Sequence, residues 1–154
     1  RVAITSSSDE KLALARQLGA DVTINYRTHP DWEAEVLKAT GGAGADIVVE
    51  TGGYDTQAKS VLAAAAEGRI VFVSVAPSTE AAPINVGLVI YKNLVLKGIA
   101  EGSRAMLVRL LRTIEQHGLQ PVVDHTFSFA EAPAAYAYLK GGSHVGKVLI
   151  RVAD

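Results

Sequence analysis

The chain is predicted to fold as an α/β domain, a doubly wound parallel sheet with helices between its strands. Three observations predict this. Residues 1–26, RVAITSSSDEKLALARQLGADVTINY, read as strand, helix, strand. Short apolar runs, DIVVE and RIVFVSV among them, then alternate with helical patterns at the spacing of βαβ units. The 154 residues fit one ordinary domain, with enough chain to bury a core.

The elements follow in order. Val2 to Thr5 reads as a buried strand. Ser7 and Glu10 stand at capping-box spacing, so a helix should start there. Leu12, Leu14, Ala15 and Leu18 form its apolar stripe, and Gly19 is a natural stop. Val22 to Tyr26 is the second strand, and Pro30 suits the first turn of the next helix. That helix should bury Trp32, Val36 and Leu37 and end at Gly41-Gly42. Asp46 to Glu50 is a strand closed by Thr51-Gly52-Gly53, and Thr56 to Ala66 is helical. Arg69 to Val75 and Leu94 to Ala100 read as further strands. Ser103 to His117 reads as a long helix burying Met106, Leu107, Leu110, Leu111 and Ile114. The tail changes character: Val122 to Phe129 is strand-like, Glu131 to Leu139 helical, and Gly146 to Val152 a closing strand. A boundary is expected near Pro121, giving domains 1–121 and 122–154.

Composition excludes several classes. The chain has 15 basic and 16 acidic residues and a formal charge of -1, which gives no electrostatic case for nucleic acid or an acidic membrane. It has no Cys, so neither a disulfide framework nor a thiolate metal site can form within it, as suits a cytoplasmic protein. No apolar run reaches the ~18 residues of a membrane span; the stretch Ala82 to Ala100 is broken by Lys92 and Lys97.

In the dinucleotide fold the strand order is 3-2-1-4-5-6. The first two strands here match the second and third of that order, and the next three match the fourth to sixth. The central strand and its glycine-rich phosphate turn are then absent, and the chain is expected to be part of a larger polypeptide. A complete flavodoxin-like domain, whose order leaves no such hole, is the alternative. Ligands of open α/β sheets bind outside the carboxyl ends of the strands. Ser6, Ser7 and Lys11 stand at the end of the first strand, where an acid would grip a ribose 2′-hydroxyl and hydroxyl or basic groups accept a 2′-phosphate. The corner Thr5-Ser6-Ser7 has no carboxylate, which favours NADP over NAD. Thr51, Gly52 and Gly53, and Val73 to Ala76 at the end of the next strand, are candidate cofactor-lining positions; glycine lets a ligand approach the backbone closely. Gly41-Gly42-Ala43-Gly44 follows a helix and precedes a strand, so it reads as a helix stop rather than a phosphate loop. His29, His117, His125 and His144 show no ligand spacing, and no Ser sits in a Gly-x-Ser-x-Gly elbow. No residue of the chain is therefore assigned to catalysis.

The segments SSSDEKLALARQLGAD, TINY, ADIVVETGG, GRIVFVSV, NLVLKGI and HVGKVLI, in that order, resemble the medium-chain dehydrogenases/reductases. These are the zinc-type alcohol dehydrogenases and quinone oxidoreductases, and the likeness covers nearly the whole chain. It implies a Rossmann-like cofactor domain, and hydride transfer between NAD(P)H and an alcohol, aldehyde, quinone or enone. It implies that Ser6 replaces the Asp of NAD-preferring members, in agreement with NADP. It further implies that Tyr26 lies at the adenosine phosphate, and that Gly52, Gly53, Val73 and Val75 line the ribose groups. The strand at Leu94 to Ile99 resembles one that pairs across a homodimer axis, and the tail from about Val122 resembles the segment returning to the catalytic domain. Zinc ligands, where members have them, lie in that other domain, so zinc stays undecided, and the isolated chain is expected to give no turnover. Two other functions are weighed: a non-catalytic nucleotide-sensing module, and an S-adenosylmethionine methyltransferase, which Ser6 in place of a ribose-binding acid disfavours.

Overall fold

A computed structural model describes residues 1–74 and 82–153. The chain divides into two compact units, Arg1–Glu101 and Gly102–Asp154, so Pro121 lies inside the second. Unit 1 carries the alternation that the sequence predicts: β1 (Ala3–Ser6), α1 (Asp9–Gln17), β2 (Val22–Asn25), α2 (Trp32–Ala39), β3 (Ala45–Glu50), α3 (Tyr54–Ala63), β4 (Ala64–Phe72), α4 (Val86–Tyr91) and β5 (Val95–Gly98). Every pairing is parallel. β1 pairs with β2, while β3, β4 and β5 form a second ladder in that order. Among the described residues no ladder joins β1 to β3, as expected of two strands that are not neighbours in the dinucleotide order.

Two apolar clusters hold unit 1 together. Ile24, Val36 and Ala63 are buried with Val22, Trp32 and Ala45 against them, which fastens β2 to α2 and α3. Val61, Ala64 and Ile70 form the other, packed by Val48, Phe72, Leu88, Val89 and Leu94. Side chains alternate across a strand. Val48 therefore meets the second cluster while Ile47 and Val49 stay 64% and 63% exposed on the opposite face of β3.

Several expectations need correction. The first strand is exposed rather than buried, Ile4 included, because β2 is its sole strand neighbour among the described residues. The first helix is capped by Ser8, not Ser7: the Ser8 hydroxyl accepts from the Lys11 amide at 3.3 Å. Pro30 precedes the N-cap Asp31 instead of entering α2. Ala64 to Ala66 leave the helix and open β4. There the Lys92 ammonium takes up the carbonyls of Val61, Leu62 and Ala64 at 3.2, 2.9 and 2.6 Å, closing α3 at its C-terminus. Burial pushes the Lys92 pKa down. The apolar run after Ala82 contains a helix that periodicity did not reveal, α4, capped by the Asn85 side chain on the Leu88 amide at 3.0 Å.

Unit 2 holds α5 (Arg104–His117), β6 (Val123–Ser128), a 3₁₀ turn (Phe129–Glu131), α6 (Ala132–Gly141) and β7 (Lys147–Arg151). The tail is the expected β-α-β, with β6 and β7 parallel. Ser128 and Glu131 form a capping box. The Asp124 carboxylate accepts from the Tyr138 hydroxyl at 2.6 Å and the Val145 amide at 2.8 Å, and the Tyr138 bond holds the Asp124 pKa below the usual carboxylate range. The helix expected over Ser103 to His117 is present with Ser103 as its cap, but Met106, Leu107, Leu110 and Leu111 are exposed rather than buried. Among the described residues no helix is long and apolar enough to cross a membrane.

Candidate cofactor-binding edge

The candidate residues gather at two strand ends. The first is the end of β1. The Tyr26 amide donates to the Ser6 carbonyl at 3.0 Å, so the parallel ladder itself brings Tyr26 beside Ser6. The Ser6 hydroxyl accepts from the Ser8 amide at 3.4 Å, and Ser6, Ser7 and Lys11 are all half-buried at the start of α1. The two carboxylates closest in sequence are engaged locally. Asp9 accepts from the Asn25 amide group at 2.7 Å, tying α1 to the end of β2. Glu10 accepts from the Ser8 hydroxyl, a bond that lowers the Glu10 pKa. Ser6, Ser7 and Lys11 thus stand together at the N-terminus of α1, with Asp9 and Glu10 in the same first turn.

The second group lies at the ends of β3 and β4. The Val73 amide donates to the Glu50 carbonyl at 2.9 Å, which places half-exposed Val73 beside the β3 end. Thr51 and Gly52 are exposed and Gly53 is buried. Gly53 has φ 84° and ψ -154°, a backbone state open in practice to glycine alone. A Cβ on Gly52 would run into the Thr56 side chain. The turn therefore needs both glycines. Val75 and Ala76, the last of the expected residues, lie outside the described residues.

Sequence reasoning missed Glu50. It is 4% exposed, and its carboxylate accepts from the Gly52 amide at 2.7 Å, the Thr56 hydroxyl at 2.6 Å and the Ser60 hydroxyl. A carboxylate ending an apolar strand, with hydroxyl residues six and ten positions on, was the available signal. A cavity of about 320 Å³ lies elsewhere, between α1 and β2, lined by Asp9, Arg16, Asn25, His29 and Glu35 among others. None of the candidate residues lines it, and its mixed charges select no one ligand chemistry. Among the described residues no group of His, Cys, Asp and Glu could hold a metal ion.

Comparison with known proteins adds the following. Residues 1–116 match the family model described as zinc-binding dehydrogenase. A zinc-type alcohol dehydrogenase-like protein of Schizosaccharomyces pombe is 37% identical over 154 residues, covering 98% of this chain and 44% of the relative. The Quinone oxidoreductase-like protein 2 of Bos taurus is 31% identical over 160 residues, covering 97% and 45%. A solved structure described as an NAD-dependent alcohol dehydrogenase superposes with a TM-score of 0.87 at 36% identity, covering 99% of this chain and 44% of its own. The chain thus spans less than half the length of these relatives.

Proposed function

Given that the chain belongs to the zinc-binding dehydrogenases of the medium-chain dehydrogenase/reductase superfamily, we propose that it is the nicotinamide-dinucleotide-binding part of an oxidoreductase. The intact gene product would transfer hydride between NADP and an alcohol or aldehyde, a quinone or an enone. When bound, the dinucleotide supplies the hydride chemistry. This chain's residues hold and orient it. Ser6, Ser7 and Lys11 receive the 2′-phosphate, and Tyr26 lies against the adenosine phosphate. The Thr51–Gly53 turn and Val73 line the riboses. The segment from Val122 joins the domain that carries catalysis, and turnover belongs to the intact gene product. The lack of cysteine suits a cytoplasmic setting.

The observation that carries the NADP reading is the acid-free corner at Ser6. Asp9 and Glu10, the acids nearest in sequence, are bonded to Asn25 and Ser8. One solved relative is described as NAD-dependent, so the preference rests on Ser6 and not on family membership. An added carboxylate repels a phosphate and accepts from a ribose hydroxyl. Ser6→Asp should therefore lower NADPH affinity of the intact gene product at least about tenfold and raise NADH affinity. Fluorescence titration with both cofactors reads this. Tighter NADH binding by the wild type, or unchanged selectivity in Ser6→Asp, would sink it.

We also assign a homodimer through the strand expected at Leu94 to Ile99. β5 pairs with β4 on one side, all four of its residues are exposed, and a free sheet edge is a template for pairing with another strand. Sedimentation should give a dimer of the intact gene product, and Leu96→Asp, which sets like charges against each other near the axis, should shift it toward monomer. A wild-type monomer at micromolar concentration would remove the assignment.

A further inference from the structure

We infer that Glu50 is the positioning residue of the cofactor edge: its buried carboxylate holds the Thr51–Gly53 turn in the shape that admits the dinucleotide. The inference rests on the cofactor reading above and names what fixes that site. A carboxylate is almost never fully buried unless donors surround it. Glu50 meets that condition with three donors from two different pieces of backbone. The Gly52 amide belongs to the turn, and the Thr56 and Ser60 hydroxyls belong to the first two turns of α3. One oxygen, Oε1, accepts from both Gly52 and Thr56, while Oε2 takes Ser60, itself 1% exposed.

This arrangement does three things. It puts negative charge at the positive end of α3, whose N-cap Gly53 has no side chain, and it ties the first two turns of that helix to β3 through the Thr56 and Ser60 hydroxyls. It draws the Gly52 amide inward, so the turn offers a ligand its outer backbone face and not that N–H. It also fixes the turn against β3 and α3 before any ligand arrives. The second anchor works on the same residue: the Gly53 carbonyl accepts from the Thr56 amide at 3.2 Å and the Thr56 hydroxyl at 3.3 Å. Thr56 thus bridges Glu50 to the glycine whose φ of 84° gives the turn its shape. Ligand sites built on such pre-ordered backbone lose affinity when the support is removed, although the support never touches the ligand.

The test uses the intact gene product with Glu50→Gln, which keeps size and removes one acceptor oxygen, and Thr56→Val, a milder change that removes one donor. Hydrogen exchange at the Gly52 amide reads the turn, and titration with NADPH and NADH reads the site. Both variants should speed Gly52 exchange at least tenfold and weaken both cofactors alike by about tenfold. KM for cofactor should rise while kcat at saturation holds. A parallel loss for both cofactors separates this role from that of Ser6, whose replacement changes their ratio. Thr56→Val keeps the test decisive if Glu50→Gln does not fold. Unchanged Gly52 exchange in a folded variant would overturn the inference, as would faster exchange with unchanged cofactor affinity. A wild-type protein that binds neither cofactor would overturn the cofactor reading and this inference with it, a result distinct from a loss confined to the variants.

Discussion

Ile70→Ala should lower the unfolding free energy by about 2–5 kcal/mol, the cost of deleting a fully buried branched side chain and leaving a cavity. Ile70 is 0% exposed and lies on β4, the middle strand of its ladder. It sits with Val61 and Ala64 at the centre of the cluster that Val48, Phe72, Ile84, Leu88, Val89 and Leu94 complete. Its neighbours come from β3, α3, α4 and Leu94 just before β5, so no single element can collapse into the space. Ile47→Ala is the control. Its side chain is 64% exposed on the opposite face of β3, and the change should cost about 1 kcal/mol or less. Chemical denaturation of both variants measures the contrast. Equal losses at the two sites would show that the mapped core is not the one that stabilises the protein.

Gly44→Ala should be comparably damaging, with a loss of about 2–5 kcal/mol from backbone strain and overpacking together. Gly44 has φ +90°, and a Cβ there would stand 2.7 Å from the Ala65 nitrogen and 2.8 Å from the Ala63 oxygen and the Ala64 carbonyl carbon. These are backbone atoms at the junction of α3 and β4, and they cannot swing aside. Gly42 separates the two causes. Its φ is +89°, yet nothing lies within 4 Å of an added Cβ, so Gly42→Ala carries the strain alone, about 1–2 kcal/mol. Denaturant midpoints for the pair give the difference. A Gly42 variant as unstable as the Gly44 variant would remove the steric part of the explanation.

Those glycines also show what was legible in the sequence. Gly41 to Gly44 looked like a phosphate loop until their place after a helix and before a strand was read, and the structure puts them between α2 and β3. Order and spacing carried the α/β class, because βαβ alternation is a period that composition alone does not mask. Burial was less legible. The apolar residues of β1 and α5 matched core patterns, yet Ile4 and Leu110 are exposed, since a period says which face is apolar and not what covers it. The end of α3 was misplaced because Ala64 to Ala66 favour helix, while a distant ammonium, Lys92, decides where the helix carbonyls stop. The places of Ser6 and the glycine turn at strand ends were readable from the sequence. Glu50 was not, because an acid next to a loop ordinarily faces water, and only the tertiary placement of Thr56 and Ser60 allows it to turn inward.

A structure of the intact gene product with NADPH bound is the most direct trial of the proposed cofactor edge. The expected result places the 2′-phosphate within hydrogen-bonding reach of Ser6 and Lys11 and a ribose against the Gly52-Gly53 backbone, with a further strand between β1 and β3. A dinucleotide bound elsewhere, or β1 pairing directly with β3, would contradict it.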